Sequence, residues 1–214
     1  VGGDPKLVEG KFGKAVEVGQ MYGYIDYVHP RLIKGKSGTI EMWLKRNRWE
    51  PDENRHHVFF ENLDGDGWLV FYKFYAGSKM LMLSAPSRRP PYVLAPYTTG
   101  YNHHDYHAGI KNSPWQWYDD WAHFVGVWSE AGNMVYMNAY PGRDALCKEF
   151  TPTKPNDFGT KFRIGDAHWN HGPDSDASTL IDNVRIYDYP LSADDVRVLY
   201  NNAIYQGKIP LDAG

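Results

Sequence analysis

The segment TLIDNVRIYDYPLSADDVRVLYNNA, residues 179–203, predicts two kinds of secondary structure in direct succession. Its first half alternates between apolar and polar residues, which is typical of a half-buried strand. Ser192 then precedes Asp195 by three positions, the spacing at which a serine and an acidic residue cap the start of a helix reciprocally. Leu191 and Val196 stand at the two positions of a hydrophobic staple. The segment therefore predicts a closing strand and a short capped helix, which we expect to pack on a sheet edge.

The rest of the chain is patterned for short antiparallel strands. In GTIEMWLKR, residues 38–46, the alternation places Ile40, Met42 and Leu44 on one face. Two pairs of similar runs, HFVGVW with NMVYMNAY and GWLVFYKFY with KMLMLSA, are joined by Gly-containing turns and predict hairpins. Many short strands with little helix predict an all-β fold, an antiparallel two-sheet jelly-roll sandwich with a short C-terminal helix.

Composition sets further limits. The chain has 214 residues, a formal net charge of −3 and one cysteine. That length suits one domain, which we place at residues 1–214. No basic stripe is present, so nucleic-acid binding is not expected. The longest apolar run, Trp68–Tyr72, is too short to span a membrane. A lone Cys147 excludes an internal disulfide framework.

Residues 84–120 interrupt the strand pattern with a stretch rich in Pro, Tyr, His and Trp. We interpret this stretch as a long loop insertion in the domain. A long irregular segment inside a compact domain is usually functional or disordered. Its aromatic content argues against disorder.

Several segments occur in the order found in one known family. The chain resembles a laminin G-like, concanavalin A-like lectin/glucanase domain over nearly its whole length outside the insertion. This resemblance implies the jelly-roll fold, but it implies less about function, because the fold hosts lectin modules, glycan hydrolases and lyases, and structural domains. The segments that carry it are EGKFGKAVEV (9–18), YIDYV (24–28), SGTIEMWLK (37–45), WAHFVGVW (121–128), FRIGD (162–166) and IDNVRIYDYPLSADDVRVLYNNA (181–203).

Two features depart from the family pattern. Such domains usually carry a first strand before the GKFGKA segment, whereas only VGGDPKLVE precedes it here. The missing strand implies either a trimmed or processed N-terminus, or a partner chain that supplies the edge by strand addition. The family's usual Asp-Gly turn is replaced by Asn-Ala-Tyr-Pro-Gly at residues 138–142, which predicts a larger aromatic loop at one rim.

The resemblance also implies a structural calcium. In similar jelly rolls the aspartate that matches Asp182 binds calcium together with backbone carbonyls of the Gly-Lys-Phe-Gly segment, here residues 10–13. A hard cation favours carboxylate and carbonyl oxygens, so such a site would tie the two ends of the chain together. The alternative is that Asp182 only accepts backbone hydrogen bonds. Two other acidic stretches, 62–68 and 165–178, are better explained as a hairpin turn and a solvated polar loop.

The histidines suggest a polysaccharide lyase as an alternative function. Tyr/His pairs serve as base and acid in sugar lyases similar in fold, with an arginine that neutralises the uronate carboxylate. The opposing interpretation is a surface loop that packs on itself, and we assign no catalytic residue. His123 matches a family position at which a histidine is usually packed or hydrogen-bonded. The candidates for lyase chemistry are Tyr101, Tyr106, His103, His104, His107, Arg88, Arg89 and Lys73.

The leading hypothesis is a non-catalytic binding or adhesion module that is extracellular, at the cell surface or periplasmic. Its ligand would be a glycan or a protein surface, held by aromatic stacking and charge-assisted hydrogen bonds. A further hypothesis is a structural subunit whose aromatic loop is buried against a partner chain. The expected ligand-binding residues, at a rim built from 84–120 and 165–178, are Arg88, Arg89, Tyr92, Tyr101, His103, His104, His107, Trp115, Trp117, His168 and Trp169.

Overall fold

The fold was analysed in a computed structural model. It describes residues 2–29, 33, 37–50, 55, 57–65, 67–73, 81–88, 107–110, 120–129, 132–141, 158–165 and 177–206. For residues 67–68, 81–88, 107–110, 132–133, 140–141 and 205–206 the description covers the backbone alone.

Fourteen strands and one helix are formed by these residues. In chain order they are β1 (Gly2–Gly3), β2 (Lys6–Glu9), β3 (Lys14–Val18), β4 (Gly23–Val28), β5 (Gly38–Asn47), β6 (His57–Asn62), β7 (Gly67–Lys73), β8 (Leu81–Arg88), β9 (His107–Ile110), β10 (Ala122–Ser129), β11 (Gly132–Met137), β12 (Tyr140–Pro141), β13 (Lys161–Gly165), β14 (Ser178–Tyr187) and α1 (Ala193–Gln206).

The strands form two seven-stranded antiparallel sheets. Sheet A has the order β1-β4-β13-β6-β7-β8-β9, and sheet B has the order β12-β11-β10-β5-β14-β3-β2. The predicted hairpins β7–β8 and β10–β11 are both present. The predicted all-β fold, an antiparallel two-sheet jelly-roll sandwich with a short C-terminal helix, is therefore confirmed.

The core between the sheets is built from alternate positions of both. On β5, Ile40, Met42 and Leu44 face sheet A and are fully buried, as the alternation predicted. From sheet A, Phe60 and Phe162 face them and stack on one another at 5.9 Å between ring centroids. The intervening side chains of β5 point to the opposite face of sheet B, which is where the site described below begins.

The prediction of a long loop over 84–120 was wrong at two places. Residues 84–88 continue β8, and residues 107–110 form β9 at the edge of sheet A. The alternation is hidden because β8 contains an extra residue between the pairs Trp68–Ser87 and Val70–Ser84, and Pro86 lies in this bulge. Bulges and edges are the places where a sheet tolerates proline.

The N-terminal segment also differs from the expectation. The residues that we expected to lack a first strand form β1, which pairs with β4, and β2, which pairs with β3. The edge beside β3 is thus covered by this chain itself. Alternation in KLVE is too short to be recognised as a strand by pattern alone, and Gly2–Gly3 carries no side-chain pattern at all.

The turn at residues 138–139 corrects a further prediction. Asn138 and Ala139 both have left-handed backbones, with φ of 51° and 64°, and Met137 pairs directly with Tyr140. This is the tight two-residue geometry that Asp-Gly would adopt, so no larger loop is formed. The Asn138 side chain fixes the turn, because its Oδ1 accepts the His123 backbone N–H at 2.8 Å.

The helix α1 begins as the sequence predicted. The Ser192 N–H donates to Asp195 Oδ2 at 2.9 Å, and the Asp195 N–H donates to Ser192 Oγ at 3.1 Å. These bonds lower the pKa of the exposed Asp195 carboxyl. Leu191 and Val196 are both buried, as the staple requires. Among the described residues no helix is both long and apolar enough to cross a bilayer.

The position of α1 corrects the expectation of a sheet edge. Val196 packs with Val125, Val127 and Tyr136, which lie on the outer face of sheet B. The helix therefore covers a sheet face. Thr39 fixes the connection from β14, because its hydroxyl donates to Tyr189 O at 3.0 Å and accepts the Leu191 N–H at 2.9 Å.

Replacing Ala139 by Gly should stabilise the protein. A non-glycine residue in the left-handed region costs about 1–2 kcal/mol, so we expect Ala139→Gly to raise the free energy of unfolding by about 1 kcal/mol in chemical denaturation. Ala203→Gly in α1 is the control, since glycine in a right-handed helix should lower stability by about 1 kcal/mol. A loss of stability in Ala139→Gly would contradict the turn geometry.

Candidate functional site

Most of the predicted ligand-binding residues lie outside the described residues. Arg88 and His107 are described by their backbones, on the neighbouring strands β8 and β9, where Ser84 pairs with His107. Lys73 is buried, and its Nζ donates to Arg55 O at 3.0 Å, so it is held inside the protein. Outside the described residues lie Arg89, Tyr92, Tyr101, His103, His104, Tyr106, Trp115, Trp117, His168 and Trp169, together with Cys147.

The predicted metal ligand Asp182 joins the two ends of the domain. Its Oδ2 accepts the Phe12 N–H at 2.9 Å, and it is 5% exposed. Gly10 approaches so closely that a Cβ there would lie 2.7 Å from Oδ2. A backbone hydrogen bond from the Gly-Lys-Phe-Gly segment, as in the alternative interpretation of Asp182, is therefore present. Asp182 Oδ1 accepts no hydrogen bond from a described residue.

A bulge directs Asp182 and Arg185 to the same face of sheet B. Residues three apart on a regular strand would point to opposite faces. Here the register shifts between them, so Asp182 lies opposite Trp43 and Arg185 opposite Glu41. Asn183 absorbs the extra residue with φ of 50°. Asparagine tolerates this left-handed conformation better than most residues, which explains its place in the bulge.

The bulge completes a buried carboxylate cluster, formed by Glu41, His123, Arg185 and Tyr187. Glu41 is 1% exposed and accepts hydrogen bonds from His123 Nε2 at 3.0 Å and Tyr187 OH at 2.6 Å. Arg185 Nη1 lies 3.2 Å from the same carboxylate. Side chains from the two neighbouring strands β10 and β14 thus contact the Glu41 carboxylate of β5.

The protonation of this cluster follows from its contacts. Burial by itself raises the pKa of Glu41, but the hydrogen bonds from His123 and Tyr187 and the charge of Arg185 outweigh it and lower that pKa. Burial and the bond to Glu41 raise the pKa of Tyr187 to about 12. Glu41 is therefore ionised and Tyr187 keeps its proton at neutral pH.

Aromatic rings pack over the His123 side of the cluster. Trp43 lies 4.9 Å from the His123 ring and 6.1 Å from the Tyr200 ring of α1. Lys11 Nζ lies 4.5 Å above Trp43. The predicted structural role of His123 is confirmed, since its ring is fully buried and bonded to Glu41.

Asp64 confirms the interpretation of 62–68 as a hairpin turn. It follows β6, and its Oδ1 accepts the N–H groups of Thr160 at 2.8 Å and Lys161 at 2.7 Å. Burial raises the pKa of Asp64, but these backbone bonds outweigh it and lower the pKa. Gly159 has φ of 72°, and a Cβ there would collide with the carboxylate. The carboxylate thus holds the segment before β13.

The accessible polar site that the structure reveals is a corner cluster on sheet B. It centres on Tyr22, in the turn between β3 and β4. The Arg48 guanidinium lies 4.8 Å from the Tyr22 ring centroid, and the Lys6 ammonium lies 5.8 Å from it. Arg48 Nη2 also donates to the Tyr22 hydroxyl. The members of this corner cluster are Lys6, Glu17, Tyr22, Asn47, Arg48 and Ser178.

Glu17 organises the corner cluster. Its Oε1 accepts hydrogen bonds from Ser178 Oγ at 2.7 Å, Asn47 Nδ2 at 3.0 Å and Arg48 Nη2 at 3.1 Å. Glu17 is 9% exposed, whereas the Arg48 side chain is 42% exposed. The sequence analysis missed this cluster because its members come from five separate segments with no spacing that links them.

Another arginine shows a different arrangement. Arg163 donates through Nε and Nη2 to the two carboxylate oxygens of Asp26, at 2.7 and 2.9 Å, and stacks 3.4 Å from the Tyr24 ring centroid. Burial would lower the pKa of Arg163, but Asp26 outweighs it and raises the pKa. Arg163 is buried by its partners, so it holds β13 against β4.

These features define a class of protein, a lectin-like jelly roll with a helix clipped over one sheet. A family profile described as the concanavalin A-like lectin/glucanases superfamily, in its laminin G-like branch, matches residues 19–197. The chain belongs to this family. No curated protein sequence matches it.

Solved structures with the same fold include binding domains of botulinum neurotoxins. The domain of neurotoxin DC in complex with sialylT has a TM-score of 0.66 at 14% identity, and its complex with rat synaptotagmin II has 0.64 at 13%. A type C structure, described with cell entry through two ganglioside molecules, has 0.63 at 15%. In each case the match covers 94% of this chain and 45% of the other. The chain thus spans less than half of these structures, and the likeness concerns the fold.

Replacing Glu41 by Gln should destabilise the protein and change its response to acid. Removing the charge from a buried, paired carboxylate costs about 3 kcal/mol. The folded-state pKa of Glu41 is lowered, so its contribution is present above the unfolded pKa and is lost as pH falls through the folded one. Glutamine does not titrate in this range. The free energy of unfolding of Glu41→Gln, measured by chemical denaturation at a series of pH values, should therefore fall less steeply toward acid pH than that of the wild type.

Glu9→Gln on the exposed strand β2 is the matched control for this experiment. It makes the same chemical change at a surface position, where we expect a change within about 0.5 kcal/mol. Equal stability of Glu41→Gln and the wild type across the acid range would contradict the role of the buried carboxylate cluster.

Proposed function

We propose that this domain is a non-catalytic binding or adhesion module, extracellular or at the cell surface, that recognises a glycan or a protein surface. The family includes lectins, and the neurotoxin domains with the same fold are described in complexes with sialylT and synaptotagmin and with ganglioside-dependent entry. These relatives support a binding role. They identify no ligand for this chain.

Among the described residues, the observation that supports a non-catalytic role is the state of the buried carboxylate cluster. A lyase needs a tyrosine, a histidine and a cation that converge in an open groove. Tyr187, His123 and Arg185 do converge, but on Glu41, under α1 and against Trp43. Both His123 and Glu41 are sealed from solvent, so this constellation holds sheet B together and is unsuited to bind a substrate.

Binding is tested directly with the full chain on a glycan array and against immobilised membrane glycoproteins. We expect saturable binding to at least one class of glycan or protein. The same preparation is incubated with uronate polymers, and we expect no new ultraviolet absorbance from unsaturated products. Appearance of that absorbance would overturn the binding proposal in favour of the lyase.

The structural-subunit alternative concerns the open edge of sheet B. β2 has β3 on one side, and Leu7 on it is 76% exposed. A partner strand would add here, where Lys6 and Glu9 charge the edge and disfavour non-specific pairing. Native mass measurement should then give a stable hetero-oligomer. Loss of that hetero-oligomer in Leu7→Lys, which adds a charge to the edge strand, would support this alternative.

A structural calcium at Asp182 is the remaining prediction. Asp182 Oδ1, which accepts no hydrogen bond from a described residue, can supply one carboxylate oxygen, and carbonyls of residues 10–13 would supply others. Among the described residues no group of three or more His, Cys, Asp or Glu surrounds a common point. We expect calcium to raise the melting temperature of the wild type and a chelator to reverse this rise.

Asp182→Asn tests whether the effect belongs to this residue. The amide keeps an oxygen for the Phe12 N–H but removes the charge, so its melting temperature should not respond to calcium. An equal response in Asp182→Asn and the wild type, or none in either, would contradict the prediction.

A further inference from the structure

We propose that the corner cluster binds the carboxylate group of an acidic saccharide, with Lys6 and Arg48 as the charged donors. This inference rests on the proposed function in so far as the ligand is a saccharide. It names the chemical class of that ligand, and it places the ligand's charged group at the corner of sheet B.

The first support is that Arg48 is held in a strained backbone position. Its φ is 59°, in the left-handed region that most residues avoid. Strain of this kind persists only where surrounding contacts fix it, and it is concentrated at functional sites. Here Glu17 and Ser178 contact one end of the guanidinium, and both are buried. The side chain is thus positioned by the interior of the protein.

The second support is the set of donors that remain. The hydrogen bonds of Arg48 to described residues all use Nη2, so Nε and Nη1 have no hydrogen-bond partner among those residues. Among the described residues, Lys6 Nζ contacts the Tyr22 ring and makes no hydrogen bond or ion pair. Arg163 differs, because Asp26 uses both Nε and Nη2 and only 10% of its side chain is exposed. Arg48 therefore has solvent-exposed donors for an external acceptor, whereas the Arg163 guanidinium is largely buried against Asp26.

The third support is the balance of charge and apolar surface. Glu17 offsets one of the two positive charges, and its Oε1 is already occupied by three donors. The cluster is left with an excess positive charge that an anion would neutralise. Met21, which precedes Tyr22 in the chain, is 63% exposed and would pack against the sugar ring of the ligand. A carboxylate attached to a sugar satisfies both features, whereas nucleic acid would need a longer basic surface.

The test compares three related sugars, lactose, sialyllactose and sulfated lactose, by NMR titration of the full chain with amide shifts mapped to residues. We expect sialyllactose to shift the amides of Tyr22 and Arg48, and lactose to leave them unchanged. Lys6→Gln and Arg48→Gly should each weaken sialyllactose binding about tenfold or more, since each removes a charge-assisted hydrogen bond.

The variants are chosen so that folding is preserved. Lys6 is exposed on β2, and glycine at position 48 accepts the left-handed backbone without strain. Lys14→Gln is the matched control, because it removes an equal charge from exposed β3 without touching Tyr22, and its affinity should equal that of the wild type.

The outcomes separate this inference from the proposed function. Sialyllactose binding that Lys6→Gln and Arg48→Gly leave unchanged would overturn the corner site and leave a glycan-binding module intact. Equal binding of sulfated lactose or inorganic sulfate would overturn the carboxylate specificity. Binding of glycans on the array without any shift at Tyr22 would also overturn the inference. No glycan binding at all would overturn the inference and leave only the protein-binding form of the proposed function.

Discussion

The ionised carboxylate of Glu41 is the interaction on which sheet B depends. Three strands reach it, because Glu41 lies on β5, His123 comes from β10, and Tyr187 and Arg185 come from β14. The carboxylate also fixes the register of the sheet, since a slip of one residue on β5 would turn Glu41 into the apolar core between the sheets. A buried charge is costly there, so the misaligned pairing is strongly disfavoured.

Local patterns made much of the fold predictable. Alternation over 38–46 and the Ser192–Asp195 cap each depend on residues that are close in sequence, and both match the structure. The outer face of β5 was not predictable in the same way. Alternation separates two faces of a strand, but both faces are buried here, one by sheet A and one by α1.

The sites were less predictable because they depend on backbone irregularities. The bulge at Asn183 brings Asp182 and Arg185 to one face, and the left-handed Arg48 turns its guanidinium toward Glu17. Neither irregularity is marked by a glycine. Long-range contacts between residues of different strands select these conformations, so single-sequence propensity cannot find them. Most residues proposed for the rim lie outside the described residues and stay predictions.

The place of β14 in sheet B has a consequence for how the protein is made. This strand is inserted between β5 and β3, and its Asp182 binds Phe12, 170 positions earlier in the chain. While the ribosome is still synthesising the preceding residues, β3 and β5 have no neighbour at these sides. The sheet can close only after residues 178–187 have emerged. Such distant pairing is slow to form, so the edges of β3 and β5 that face β14 stay unpaired until that strand is available, and exposed edges of this kind favour aggregation.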